Sequence, residues 1–151
     1  MKLQSEIVEQ VRALIAEEEN LVANLANTTA LLMSATSWHW VGFYLLDRHK
    51  NELVLGPFQG PVACTRLQKG RGVCAKSWEL SETIVINDVE SFEGHIACSS
   101  LSKSEVVIPV VLEGEVVGVL DIDSVELNGF TSSDVKILED IVQIIAEQWL
   151  G

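Results

Sequence analysis

The sequence predicts an α+β domain in which helices from both ends of the chain pack on one side of a central, mostly antiparallel sheet. Three observations support this prediction: helical apolar spacing over the first 34 residues, short β-branched runs between polar turns in the middle, and one long amphipathic segment at the end. Helices, then strands, then a helix are typical of α+β architecture. The 151 residues have the length of one domain, for which we expect a single core.

Two helices are predicted over residues 3–16 and 20–34, because leucine, isoleucine and valine recur there every three or four positions. From Trp40 the pattern changes, and the runs WVGFYLLD and ELVLG predict a hairpin across the polar RHKN. Residues 61–82 are rich in glycine and predict a loop with one short helix over about 73–80.

The second half of the chain predicts a strand in TIVIND, an irregular segment over residues 91–104, and a second hairpin that turns at Glu113 and Gly114. Thr131 or Ser132 can cap the closing helix. The apolar face of that helix carries Val135, Leu138, Ile141, Ile145 and Trp149. Long irregular segments in a compact domain usually hold functional residues.

The composition argues against two classes of partner. Ten basic and 22 acidic side chains give a net charge of −12, which repels nucleic acid and anionic membranes. The acidic, amphipathic N-terminal segment has no apolar signal core, and no apolar run approaches the length of a membrane span. We therefore expect a cytoplasmic protein with reduced thiols.

Three isolated cysteines, Cys64, Cys74 and Cys98, lie in stretches of glycine and other small residues with no CxxC pair. This pattern indicates a nucleophilic thiol with resolving partners, although small buried hydrophobic side chains explain it equally well. His95 lies three residues before Cys98 and could lower its pKa or simply bond to the loop backbone. A zinc site built from these residues is disfavoured, because paired ligand spacing is missing.

Carboxylates continue an apolar stripe in the strand EVVGVLDIDS. Alternation places one set of side chains on one face: Val117, Val119, Asp121 and Asp123. The other face carries Val116, Leu120 and Ile122. Glu105 opens the neighbouring strand, so the three acids could surround a pocket, where mutual repulsion would raise the pKa of at least one of them. Alternatively they mark the solvated ends of strands, which is the commoner position of aspartate.

Aromatic side chains form a second candidate group. Trp40 and Tyr44 are four residues apart and share one face of a strand, where they could wall an apolar or cationic group or pack in the core. Trp38 and Trp78 have no comparable context and are interpreted as packing residues.

The run IPVVLEGEVVGVLDIDS resembles the signature hairpin of GAF domains. WVGFYLL, VLGPFQGPVACTRLQKGRGVC, INDVESFEGHIAC and SKSEVVIPV further resemble the free methionine-(R)-sulfoxide reductases, which are single-domain GAF enzymes, and the resemblance covers about residues 28–149. It implies one GAF domain over 1–151, with N-terminal helices over 1–34 and the sheet, pocket loops and C-terminal helix over 38–149.

The resemblance also implies roles for individual residues. Cys98 matches the catalytic nucleophile, and Cys64 and Cys74 match the other redox cysteines. The positions that match the substrate pocket are Trp40, Tyr44, Glu105, Asp121 and Asp123. The chain departs from the family pattern at Ala75, where glycine is expected, and at Ser99, where aspartate is expected.

The implied activity is thiol-dependent reduction of free L-methionine (R)-S-oxide through a cysteine sulfenic acid and a disulfide, with thioredoxin as external reductant. The acids would hold the substrate ammonium and protonate the sulfoxide oxygen. No bound cofactor or metal is implied, and a homodimer is expected. The alternative is a GAF domain that senses a cyclic nucleotide or another small molecule without catalysis; a bilin-attaching GAF domain leaves two cysteines unexplained.

Overall fold

The computed structural model describes residues 3–94 and 101–149. Both predicted N-terminal helices are present, as α1 (Glu6–Ile15) and α2 (Leu21–Ala35). Asn20 begins α2 by accepting a hydrogen bond from the backbone N–H of Ala23. Within residues 3–94 and 101–149, every helix is too short or too polar to span a membrane.

Among the described residues, six strands form one sheet in which every pairing is antiparallel. The strands are β1 (Trp40–Asp47), β2 (Glu52–Gln59), β3 (Arg66–Gln68), β4 (Ile84–Ile86), β5 (Ser104–Leu112) and β6 (Glu115–Ser124). Their order across the sheet is β3-β2-β1-β6-β5-β4. The α+β prediction and both predicted hairpins are confirmed, whereas β3 lies inside the predicted loop over residues 61–82 and was not predicted.

The remaining helices are α3 (Gly72–Leu80), a single 3-10 turn (Val89–Ser91) and α4 (Ser132–Glu147). Thr131, one of the two predicted caps, starts α4 through a reciprocal pair of hydrogen bonds with Asp134. Asp134 also accepts a hydrogen bond from the backbone N–H of Leu3, which ties the N-terminal segment to α4.

The β5–β6 hairpin turns where predicted, and both turn residues have positive φ, 54° at Glu113 and 82° at Gly114. Further along, Val111 pairs with Val116 while Val110 pairs with Gly118, so Val117 is an extra residue in β6. This bulge reverses the alternation. The predicted faces of Val116 and Val117 are therefore wrong, since Val116 packs with Val119 and Val117 packs on the opposite side.

The sheet has two differently covered faces. On one face α1, α2 and α4 enclose an apolar core that includes Val41, Phe43, Ile108, Leu120 and Ile122. On the other face α3 covers a second cluster that includes Trp40, Tyr44, Leu53, Leu67, Cys74, Trp78 and Val107. Trp38 packs on Phe130 in the first core and Trp78 lies in the second cluster, as predicted for packing residues.

Candidate active site

The strand register brings the predicted acids together on the face that α3 covers. Asp123 of β6 lies opposite Trp40 of β1 on one side and Glu105 of β5 on the other. Asp121, two residues earlier on the same face, lies opposite Gly42. The three carboxyl groups therefore occupy neighbouring positions on two adjacent strands, β5 and β6, with Trp40 of β1 beside them.

A pocket lies between this part of the sheet and the start of α3, and it encloses about 560 Å³ including its open mouth. The predicted residues that line it are Trp40, Tyr44, Cys74, Glu105, Asp121 and Asp123. The mixture of apolar and polar walls is typical of a small-molecule site. The structure thus joins six of the eight predicted site residues in one pocket.

The acids are not solvated strand ends. Only 6% of Glu105 and 7% of Asp121 is exposed, while Asp123 is partly exposed. Burial, assisted by the charge of Asp123, raises the pKa of Glu105 to about 8, although its hydrogen bond with Asp121 opposes the shift. Burial and the charge of Asp121 raise the pKa of Asp123 well above its usual range. Carboxyl groups that keep protons near neutral pH can act as acids.

Cys74 lies in the first turn of α3 as a buried, free thiol. Burial, followed by the negative charges of Asp121 and Glu105, raises its pKa well above the usual range, and the thiol hydrogen-bonds to Asp121. The sulfur and one carboxyl oxygen from each of these acids lie within 4.8 Å of one another, so a metal ion or an ammonium group could be held between them. A thiol that keeps its proton is a weak nucleophile.

The two predicted aromatic residues do more than wall the pocket. Trp40 donates a hydrogen bond from Nε1 to the carbonyl oxygen of Pro61 at 2.9 Å. Tyr44 donates one from its hydroxyl to the carbonyl oxygen of Cys64 at 2.8 Å. Both side chains therefore anchor the short segment that carries Cys64, which we call the Cys64 segment (residues 61–64).

Two glycines make room for the indole ring of Trp40, which also stacks on Phe58 with ring centres 5.2 Å apart. A Cβ atom at Gly42 would collide with that ring. At Gly60 a Cβ would lie 2.7 Å from the ring, and the backbone has a φ of +130° that favours glycine. The position of Trp40 therefore depends on glycine at both sites.

The cysteines differ in state. Cys64 is disulfide-bonded and partly buried, while Cys74 is free. Cys98, His95 and Ser99 lie outside the described residues, so their predicted roles stay predictions. Ala75, the other departure from the family pattern, is buried in α3.

Two polar residues of the pocket wall were not predicted. Arg71 directly precedes α3, and Ser102 lies in the segment that leads into β5. Neither belongs to a periodic pattern. The available signals were local: a basic side chain between two glycines just before a cysteine-bearing helix, and the short polar run SKSE before a buried strand.

Comparison with known proteins identifies the class of this fold and pocket. The GAF domain family matches residues 15–147, so the chain is a GAF-domain protein. A free methionine-R-sulfoxide reductase from Escherichia coli is 47% identical over 131 residues, which cover 86% of this chain and 78% of that protein. GAF domain-containing protein A from Dictyostelium discoideum is 52% identical over 139 residues, 92% of this chain and 87% of that protein.

Solved structures give the same result. The structure of free methionine-R-sulfoxide reductase from Neisseria meningitidis in complex with its substrate superposes with a TM-score of 0.94 and 48% identity, over 95% of this chain and 86% of that one. The chain belongs to the free methionine-R-sulfoxide reductase family, as its motifs indicated.

Proposed function

We propose that this protein reduces free L-methionine (R)-S-oxide to methionine by thiol chemistry. The observation that carries the proposal is the pocket in which buried acids with raised pKa values meet the Cys64 segment. The similarity to the reductases from Escherichia coli and Neisseria meningitidis supports the choice of substrate.

The acids have two tasks in this reaction. A buried carboxylate holds the substrate ammonium, since Asp121, Glu105 and Cys74 lie close enough together to hold a cation. Protonated Glu105 or Asp123 donates a proton to the sulfoxide oxygen, because an oxide leaves poorly without one. Trp40 lies beside these acids and faces the S-methyl group.

The cycle starts with Cys98, which attacks the sulfoxide sulfur. The sulfoxide oxygen passes to the cysteine sulfur, so methionine leaves and Cys98 becomes a sulfenic acid. A second thiol then condenses with the sulfenic acid, forming a disulfide and releasing water. Thioredoxin reduces that disulfide by exchange, and its own dithiol is oxidised. Regeneration of this kind suits a cytoplasmic protein, where thiols are kept reduced.

Cys64 is the main resolving thiol in this scheme. It is disulfide-bonded, and it lies on a segment that Trp40 and Tyr44 anchor beside the pocket. Cys74 is a poorer candidate, because its thiol is free, buried and held in the protonated state by neighbouring acids. Cys74 would then act at most as a relay.

The test is an assay of methionine release from the separate R and S sulfoxides, with thioredoxin, its reductase and NADPH. We expect turnover of the R form, and loss of even a single turnover in Cys98→Ser. Release of one equivalent of methionine by Cys98→Ser would remove Cys98 from the nucleophile role. Cys74→Ser, the matched control, should retain the first turnover.

Peptide mapping after one turnover tests the resolving thiol separately. A disulfide between Cys64 and Cys98 is expected. A dominant bridge between Cys74 and Cys98 would give the resolving role to Cys74 instead.

A homodimer is a separate proposal, which rests on the family resemblance. The apolar face of α1 does not support it, because Ile7, Val11 and Ile15 are already buried within the chain. Light scattering at several protein concentrations tests the proposal, and a monomer mass throughout would end it.

A further inference from the structure

Two exposed apolar side chains lie at the mouth of the pocket. Val62, in the Cys64 segment, lines the pocket and yet is 87% exposed. Leu101 is 60% exposed and directly precedes Ser102, a residue of the pocket wall. Exposed apolar residues that occur singly need no explanation, whereas a group of them that borders a site indicates an interaction surface.

The Cys64 segment also has main-chain groups that the rest of the described chain does not use. The carbonyl oxygens at its two ends accept hydrogen bonds from Trp40 and Tyr44. Between these ends, the main-chain N–H and C=O groups of Val62 and Ala63 make no hydrogen bond with any described residue. The main chain of another protein can pair with such groups. The segment is therefore fixed at its ends and open to a partner between them.

The charge at the mouth differs from the charge of the whole protein. The chain has a net charge of −12, but residues 53–78, which include the Cys64 segment, contain four basic side chains and no acidic one. Two exposed basic side chains border the mouth, since Arg71 lines the pocket and Lys103 follows Ser102. Neither makes an ion pair with a described residue. An acidic protein is repelled by most of this surface and attracted here.

We propose that Val62, Leu101, Arg71 and Lys103 form a docking surface, the mouth surface, for an acidic dithiol protein that reduces the disulfide of Cys64. The open main chain of the Cys64 segment pairs with the main chain of the partner, and the two apolar side chains pack against it. The inference rests on the proposed function and deepens it, because it assigns the place where the external reductant binds.

Docking at the mouth surface directs the attack to one sulfur atom. A thiolate of the partner attacks Sγ of Cys64, which is partly exposed; an intermolecular disulfide forms, and the other cysteine of the original disulfide leaves as a thiolate. The partner's second thiol then attacks the partner's own sulfur in the intermolecular disulfide, so Cys64 leaves as a thiolate. Two electrons and two protons pass from the partner's dithiol to the two cysteines, and the partner keeps a disulfide.

The first experiment measures reduction of the protein after oxidation with diamide, with no methionine sulfoxide present. The reductant is either a thioredoxin of net negative charge or dithiothreitol, and the thiols that appear are counted after acid quenching. Val62→Asp should lower the rate constant with thioredoxin about tenfold or more and leave the rate constant with dithiothreitol unchanged. Lys103→Glu should lower the thioredoxin rate about threefold and weaken its dependence on salt.

Matched controls make the same substitutions away from the mouth. Val22→Asp alters an exposed valine of α2, and Lys50→Glu alters an exposed lysine between β1 and β2. Neither control should change the rate with either reductant. An unchanged thioredoxin rate in Val62→Asp would overturn the mouth surface. Equal losses with thioredoxin and dithiothreitol would show that Val62 acts on the disulfide itself, which would also overturn it.

The second experiment traps the attack. A thioredoxin whose second active-site cysteine is replaced by serine cannot complete the exchange, so the intermolecular disulfide accumulates. Peptide mapping should find it at Cys64. A trapped bridge at Cys74 or Cys98 would contradict the proposed direction of attack.

Failure of the proposed function has a different signature, namely no methionine from its sulfoxide while the diamide-oxidised protein is still reduced. A thioredoxin rate that falls in Val62→Asp would then support the mouth surface without sulfoxide reduction. A thioredoxin rate no higher than that with an equal concentration of dithiothreitol would overturn the mouth surface, whether or not the protein releases methionine.

Discussion

The two faces of the sheet use the same strands for different purposes. In β6, Leu120 and Ile122 enter the apolar core under α1, α2 and α4, while Asp121 and Asp123 line the pocket under α3. In β1, Val41 and Phe43 likewise belong to the core, and Trp40 and Tyr44 to the pocket.

The difference between the faces shows how the fold tolerates buried acids. Isolated carboxyl groups in a protein interior cost free energy, and a large apolar core can offset that cost. The helices that stabilise the domain cover one face, so the other face is free to hold groups that serve chemistry. Adjacent residues of one strand can therefore separate stability from activity.

The largest expected effect comes from neighbouring substitutions on opposite faces. Asp121→Asn removes a charge from the pocket and should lower kcat/KM about 100-fold or more with little change in urea stability. Ile122→Ala leaves a cavity in the core and should lower the free energy of unfolding by about 2–5 kcal/mol, with kcat/KM of the folded protein retained. A similar stability loss in both variants, with normal activity in Asp121→Asn, would contradict this division.

A pH titration of Glu105 is the next test. Its pKa in the folded protein is about 8, above the ordinary value of 4.5, so it loses its proton as the pH rises through about 8. If Glu105 donates the proton, kcat should fall about tenfold per pH unit above that point. Glu105→Gln, which cannot titrate, should have a low kcat that does not show this fall at high pH.

The same titration predicts a change in stability. Between pH 4.5 and about 8 the folded protein holds a proton on Glu105 that the unfolded chain has released. The stability advantage of protonated Glu105 is therefore present below pH 4.5 and lost as the pH rises to about 8, by at most about 1.4 kcal/mol per unit. Urea denaturation across this range should show the decline in the unaltered protein, and a parallel decline in Glu105→Gln would exclude Glu105 as its source.

Much of the fold was predictable because it follows from local periodicity. The helices, both hairpins and the turn at Glu113 and Gly114 each have a sequence pattern several residues long. The strand β3 has only three residues, too few to show alternation. The sequence pattern did not predict the bulge at Val117 either, because valine suits either face of a strand.

The sequence predicted which residues belong to the candidate site better than it predicted their burial and contacts. The alternation of side chains along β6 predicted that Asp121 and Asp123 share one face of the sheet. Whether that face is exposed to solvent depends on α3, which is distant in sequence. Family motifs supplied Trp40 and Tyr44 but not their bonds to the Cys64 segment. Arg71 and Ser102 are single residues outside any periodic pattern, so only the folded chain brings them to the pocket.

A smaller effect is expected from Tyr44→Phe, which removes one anchor of the Cys64 segment and keeps the ring. Disulfide formation after the first methionine release should slow about tenfold, which corresponds to about one lost hydrogen bond. Single-turnover kinetics with a sulfenic acid trap measure that step. Phe43→Leu, a change on the core face of the same strand, should leave it unchanged.

The smallest effect concerns the helix cap on the core side. Thr131→Ala removes a side chain that caps α4 and should lower the free energy of unfolding by about 1 kcal/mol without changing kcat/KM. Ser132→Ala alters the adjacent exposed residue, which does not cap, and should change stability little. Equal losses in the two variants, measured by urea denaturation, would show that the cap is shared.

The anchors of the Cys64 segment bond to main-chain carbonyls, not to side chains. The intervening Val62 is 87% exposed, so its identity is not constrained by those bonds. A fluorophore attached at position 62 through an engineered, non-thiol linkage would sit between two fixed points, two residues from the disulfide-bonded Cys64. The segment thus offers a place to read the oxidation state of the protein in real time without altering its fold.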